Sequence, residues 1–289
     1  MSAEQAGVNI AAALDAPDIA ALRAMDARAL FDASTAAGFI PFGAVDGHVL
    51  PDQLVNVFDR GEQAPTPMLA GFNSGEIRSL TFLLPPAPNT ASEYERIIRE
   101  RYLNLADFFL RLYPRDSVRE SMLATTRDAL YGWTAERLVR SQTAIGQPSY
   151  LYLWDHGYPA ANELNLHAFH GSELPYMFGT IARTPPLWPR IPRTRAETRL
   201  SDAMVDYWAS FARSAQPTAQ SQPDWPVYGE ASAYMHFADT PQPSERLFYG
   251  MFELHEEAMC RRRASGEQQW IWNTGVASPV LSSRDDRCL

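Results

Sequence analysis

The sequence predicts an α/β fold, and three observations carry that expectation. Short apolar runs bounded by Pro, Gly, Asn and Ser read as buried strands; long stretches with apolar residues at helical spacing separate them; and no internal repeat or long low-complexity segment interrupts the order. A hydrophobic fraction of 46% in 289 residues is enough for a packed core.

The chain opens on Ala- and Leu-rich runs at 3–14 and 18–25, then DARALFDAS, which predict two or three short helices with a break at Pro17 and Asp18. FGAVDGHVLP supplies turn residues around a short extended piece, and PDQLVNVFDRG reads as a helix closed by Gly61. TPMLAGFNSGE is an apolar run emptying into a Gly/Asn/Ser loop, the pattern of a buried strand. A helical region is expected from Thr90, where Thr90 and Glu93 fit a capping box, to about Gln142. PSYLYLWDH alternates β-favouring aromatics and predicts a strand, followed by the loop LNLHAFHGSELPYMFG. A Pro-rich connector, RTPPLWPRIPRTR, leads into RLSDAMVDYWASFARSAQP, whose Met204, Val205, Trp208 and Phe211 recur at helical spacing. ASAYMHFAD predicts a last strand and SERLFYGMFELHEEAMCRRRA a last helix, so that residues 240–289 form a helical tail to one domain spanning 1–289.

Composition excludes several functions. The net charge of -9 does not suit a phosphate backbone, so no nucleic-acid partner is expected. All 25 basic residues are Arg, which excludes a lysine base or Schiff base. No window has the apolar length of a membrane span, and the N-terminus lacks a basic region followed by an apolar core; the expectation is a chain with no membrane partner and a cytoplasmic location, although a longer form could be exported. Cys260 and Cys288 do not by themselves establish a disulfide or a redox compartment.

Two residues stand out for chemistry. Glu76 follows the strand MLAGF, and His170 lies in the loop after the strand SYLYLW; loops beyond the carboxyl ends of strands are where α/β sheets collect functional groups. Acid then His is the order of the second and third members of an α/β-hydrolase triad, in which the acid fixes the imidazole's tautomer and the imidazole takes a proton from a serine. Asp155 and Glu173 are alternative acids, and His167 an alternative base. Glu163, His167 and His170 form a rival metal set, but their spacing is not H-E-x-x-H and neither cysteine is near.

At these residues the sequence resembles a family. GFNSGE is similar to the G-x-N-x-D-E segment carrying the triad glutamate of type B carboxylesterases, and AFHGSELPYMFG to that family's H-G-x-E-L-P-Y-x-F-G segment, whose first His is the triad histidine. YWASFARSAQP, DWPVY and FGAVDGHVLP resemble three further family segments. Gly75 stands where the family usually has Asp, and Ala215 where it often has Gly. The resemblance implies that Glu76 orients, that His170 acts as the base, and that Glu173 is a structural acid. It also implies a small carboxylic ester as substrate and no cofactor or metal.

One departure is an absence. The sequence contains no G-x-S-x-G frame and no adjacent glycines for an oxyanion segment, both of which precede the acid in this family. The expectation is therefore the C-terminal part of an α/β-hydrolase fold: the last strands of a mostly parallel sheet with their packing helices, inactive alone, its serine supplied by an N-terminal half that could be separately encoded. The alternative is a non-catalytic interaction module on the same fold, or a decayed esterase.

Overall fold

The computed structural model describes residues 3–39, 43–266, 274–283 and 288. The chain divides into two compact units, Met1–Gln63 and Ala64–Leu289.

The smaller unit is built of short helices: α1 (Ala3–Ala13), α2 (Ile19–Ala24), α3 (Ala27–Ala36) and α4 (Leu54–Asp59). Asp18 caps α2 by accepting from the Ala21 N–H at 2.8 Å, and Asp26 caps α3 by accepting from Arg28 and Ala29. None of the four helices buries a residue, so the unit rests on local capping more than on a core. The extended piece expected around residues 42–51 is not a strand over its described part. The Asp46 carboxylate accepts from the N–H groups of His48, Val49 and Leu50 and winds the backbone into a turn at Gly47. Residues 40–42 lie outside the described residues.

The larger unit holds a sheet in the order β1 (Met68–Asn73), β2 (Ser149–Trp154), β3 (Ala233–Phe237), β4 (Pro241–Glu245). β1, β2 and β3 are parallel, with Asn73 opposite Trp154 and Trp154 opposite Phe237; β4 returns antiparallel to β3. Every residue of β2 is buried, and its alternation serves two layers. Tyr150, Tyr152 and Trp154 join a cluster with Leu200, Met204, Tyr207 and Trp225. Leu151 and Leu153 join Phe72, Ala135 and Val139 on the opposite face.

The first of those layers comes from α11 (Arg195–Ser214), capped by Thr194, which accepts from the Glu197 N–H at 3.2 Å. The helix ends on Ala215 in the left-handed region, φ 59°. The second layer comes from α8 (Trp133–Ala144). The helical region from Thr90 to Gln142 exists but is broken into α5 (Ala91–Tyr102), α6 (Ala106–Leu112), α7 (Val118–Arg127) and α8. Thr90 caps α5 as predicted, while Glu93 reaches back to the Asn89 N–H and not to that of Thr90. Leu103 at φ 50° and Pro114 interrupt the run, and a single π-helical turn, Asp128–Gly132, joins α7 to α8. Two short helices, α9 (Pro159–Glu163) and α10 (Leu174–Met177), flank the loop after β2.

The expected last helix starts late. Residues 241–245 form β4, and α12 (Met251–Ala264) begins only after Gly250 at φ 92°. β4 carries prolines and no β-branched residue, which hides it from a propensity argument; prolines are tolerated there because the strand lies at a sheet edge. The cysteines left unassigned are joined, Cys260 to Cys288, with Cα atoms 5.7 Å apart. Among the described residues no helix is long and apolar enough to cross a membrane.

Candidate active site

The ends of β1 and β2 bring the two loops together. Beyond Asn73 the ladder continues as the Ser74 N–H donates to the Trp154 carbonyl at 2.8 Å, and the Gly75 N–H donates to the Ala168 carbonyl at 2.9 Å. Gly75 thereby pairs with the histidine loop at Phe169. This approach needs glycine: a Cβ at residue 75 would stand 2.7 Å from the Leu166 carbonyl oxygen.

Glu76 opens a short 3-10 turn, Glu76–Arg78, directly past this crossing. Its Oε1 accepts from the Asn73 backbone N–H at 2.9 Å, and its Oε2 lies 2.5 Å from His170 Nδ1. With a proton on Nδ1 directed at the carboxylate, Nε2 is left as the acceptor. The Glu76 side chain is 6% exposed and that of His170 is 48% exposed, so the acid is buried behind an imidazole that faces outward. Burial pushes the Glu76 carboxyl above the ordinary glutamate range, opposed by the hydrogen bonds from Asn73 and His170. Tyr131, on the π-helical turn, stacks its ring centroid 5.7 Å from that of His170.

The alternative residues have other partners. Glu173 is bound by the Asn73 side-chain amide, which also donates to the Phe169 carbonyl at 2.8 Å, so it ties the strand end to the loop without meeting the ring. Asp155 accepts from Ser74 Oγ at 2.5 Å and lies 3.0 Å from His236 Nε2. His167 has both ring nitrogens beside amide oxygens, Asn162 Oδ1 at 2.9 Å and Asn165 Oδ1 at 3.0 Å. Among the described residues no group of three or more His, Cys, Asp or Glu side chains is placed to hold a metal ion.

Sequence reasoning missed the support beneath the acid. Arg127, at the end of α7, donates to the Ser74 carbonyl at 3.1 Å and to Asp128 Oδ1 at 2.6 Å, and lies 4.3 Å from the Phe248 ring centroid. Its only signal in the sequence is an adjacent Arg-Asp pair, which predicts no contact 53 residues away at Ser74.

The parallel strands and their two helical layers define a partial α/β-hydrolase fold, shared with the Geobacillus stearothermophilus carboxylesterase EST55 (TM-score 0.61, 20% identity, 87% of this chain and 54% of that one) and with a PNB esterase structure (TM-score 0.69, 19% identity, 88% and 54%). Residues 3–252 match the family described as Carboxylesterase family. The chain belongs to the carboxylesterase family. It is 24% identical over 223 residues to mouse Carboxylesterase 1F and 25% identical over 235 residues to human Cocaine esterase, covering 70% and 75% of this chain. The matches span only 38% and 41% of those relatives.

Proposed function

We propose that the larger unit carries the acid and the base of a serine carboxylic ester hydrolase, with Glu76 and His170 in those roles. The observation that supports this most directly is the 2.5 Å contact between Glu76 Oε2 and His170 Nδ1, delivered by loops following adjacent parallel strands. Chemically, Glu76 holds the ring in the tautomer with a free Nε2. That nitrogen takes the proton of an attacking hydroxyl and later returns it to the leaving alcohol, while the carboxylate stabilises the intervening imidazolium.

The nucleophile and the oxyanion donors come, in this reading, from polypeptide beyond these 289 residues, continuous with the chain or separately encoded. Substrates are small carboxylic esters, as the family and the mouse and human relatives suggest. The test is to assay the chain on an activated aryl ester with and without a polypeptide spanning the family's N-terminal half. Hydrolysis that requires both and is lost in His170→Ala is the expected result. Turnover by the chain alone that disappears in His170→Ala would refute the reading, because another residue would then supply the nucleophile.

The absence of a G-x-S-x-G frame favours a second reading, an interaction module that keeps the acid and His without catalysis. Failure of every N-terminal half to restore turnover, with the Glu76–His170 contact intact by NMR, would favour it.

A further inference from the structure

Between residues 183 and 199 the sequence RTPPLWPRIPRTRAETR carries five arginines and one acid, within a chain of net charge -9. The acid, Glu197, does not neutralise them: it is buried, 2.9 Å from His156 Nε2, and accepts from the Tyr176 hydroxyl at 2.6 Å. Four of the arginines, Arg190, Arg193, Arg195 and Arg199, line one cleft of about 570 Å³, whose other wall is formed by residues 179–184. All four are exposed, and none has a hydrogen-bond or ion-pair partner among the described residues. Elsewhere several surface arginines are matched, as Arg28 with Asp32, Arg60 with Asp52, Arg96 with Glu100 and Arg99 with Glu95, while Arg23, Arg119 and Arg213, exposed and without such a partner, lie apart in sequence and line no shared cleft with these four.

The placement also breaks two local rules. Arg195 is the first residue of α11 and Arg199 sits one turn on, so both cations stand at the end of the helix where the macrodipole is already positive. They are four residues apart on one helix face, where like charges repel. Local violations with no compensating contact are what functional sites show. An anion in the cleft would reverse both terms, and guanidinium forks are the groups that grip phosphate oxygens two at a time.

We propose that this cleft binds a compact, soluble polyanion of the phosphate-ester or pyrophosphate type. The site uses none of the residues given roles in ester hydrolysis and does not depend on that reading. Asp202, also on the cleft wall, would repel the ligand and confine its charge to the arginine side.

The experiment is calorimetric titration of the full chain with inorganic pyrophosphate, with chloride at matched ionic strength as the blank. Two double variants, Arg195→Gln/Arg199→Gln and Arg190→Gln/Arg193→Gln, are compared with the remote control Arg96→Gln/Arg99→Gln; circular dichroism checks each for retained helix. The expected result is saturable binding of one pyrophosphate, weakened at least about tenfold by each cleft variant and not by the control. If the α11 variant fails to fold, the pair outside the helix decides. Absence of saturable binding, or equal weakening in the control, overturns the proposal. So does sedimentation with phosphatidylserine vesicles by a chain that does not bind pyrophosphate, since the arginines would then face a lipid surface.

Discussion

His255 Nε2 and the Tyr113 hydroxyl stand 2.9 Å apart in the interior of the larger unit, and the same hydroxyl donates to Asp128 Oδ2 at 2.8 Å. The hydroxyl can donate only one proton, so in this chain of bonds His255 is the neutral tautomer with its proton on Nε2. His255 is 1% exposed, and burial lowers its pKa to about 4. The unfolded chain protonates this ring near 6.5 and the folded protein does not, so stability present above about pH 6.5 is lost as pH falls toward 4. The loss from this residue is on the order of 3 kcal/mol. His255→Gln keeps an N–H donor but does not titrate; urea unfolding at pH 7 and pH 4.5 should show a smaller acid loss in the variant than in the wild type. Equal losses would mean that His255 is not the responsible group.

Glu76→Gln should separate activity from stability. The amide still accepts from Asn73, but it no longer demands a proton on His170 Nδ1. In the chain paired with an N-terminal half, kcat should fall by roughly 10⁴-fold, the scale seen when a triad acid becomes an amide. Because the folded carboxyl titrates above its unfolded value, its contribution to stability is present at low pH and lost as pH rises through the folded pKa. The variant should therefore gain stability relative to wild type between pH 4 and pH 7, read from thermal melts at both.

Arg127→Met should cost about 3 kcal/mol in urea unfolding at pH 7, because it leaves the Asp128 carboxylate, 3% exposed, without its cation. It also frees the Ser74 carbonyl, so the Asn73 and Gly75 amides should lose hydrogen-exchange protection more than those of β3. Loss spread evenly over the sheet would make Arg127 a general packing residue.

Ala215→Gly should stabilise the protein by about 1 kcal/mol. Alanine at φ 59° closes α11 in a conformation that carries a steric cost for any Cβ, and glycine removes it. A lower melting temperature for the variant would show that the Ala215 methyl group makes packing contacts that outweigh the strain.

β1 pairs with no strand other than β2 among the described residues and so forms an edge of the sheet. The isolated chain should self-associate, and sedimentation velocity over a range of concentrations should show species larger than the monomer. A clean monomer throughout would count against an accessible edge.

The sequence points to the residues of the candidate site more plainly than to the contacts that bring them together. β1 and β2 are apolar enough to be seen, and the loops after them carry the Glu and His in triad order. Gly75 is different: the sequence shows it only as a departure from the family's usual Asp, whereas the Ala168 and Leu166 carbonyls pack so closely that a side chain has no room. Arg127 and His255 were invisible because their partners are distant in sequence: Ser74 lies 53 residues from Arg127, and Tyr113 lies 142 from His255. β4 was missed because its edge position, and not its propensity, makes it a strand. The disulfide was not predictable because two cysteines offer no pattern to read.

The two ends of the sheet are not equivalent. Pro241 and Pro243 remove two N–H donors from β4, so that end cannot template a regular ladder, whereas β1 can. Growth is therefore one-sided. Two copies joined through β1 would present only proline-bearing ends, so pairing terminates at a dimer and does not propagate into a fibre. On the reading proposed above, a strand from the polypeptide that supplies the nucleophile would have the same single address, beside the strand that leads into Glu76, and would compete with self-pairing for it. Esterase reconstitution should then depend on mixing order: copies paired in advance would react at the speed of their own dissociation, and freshly diluted ones at the speed of encounter.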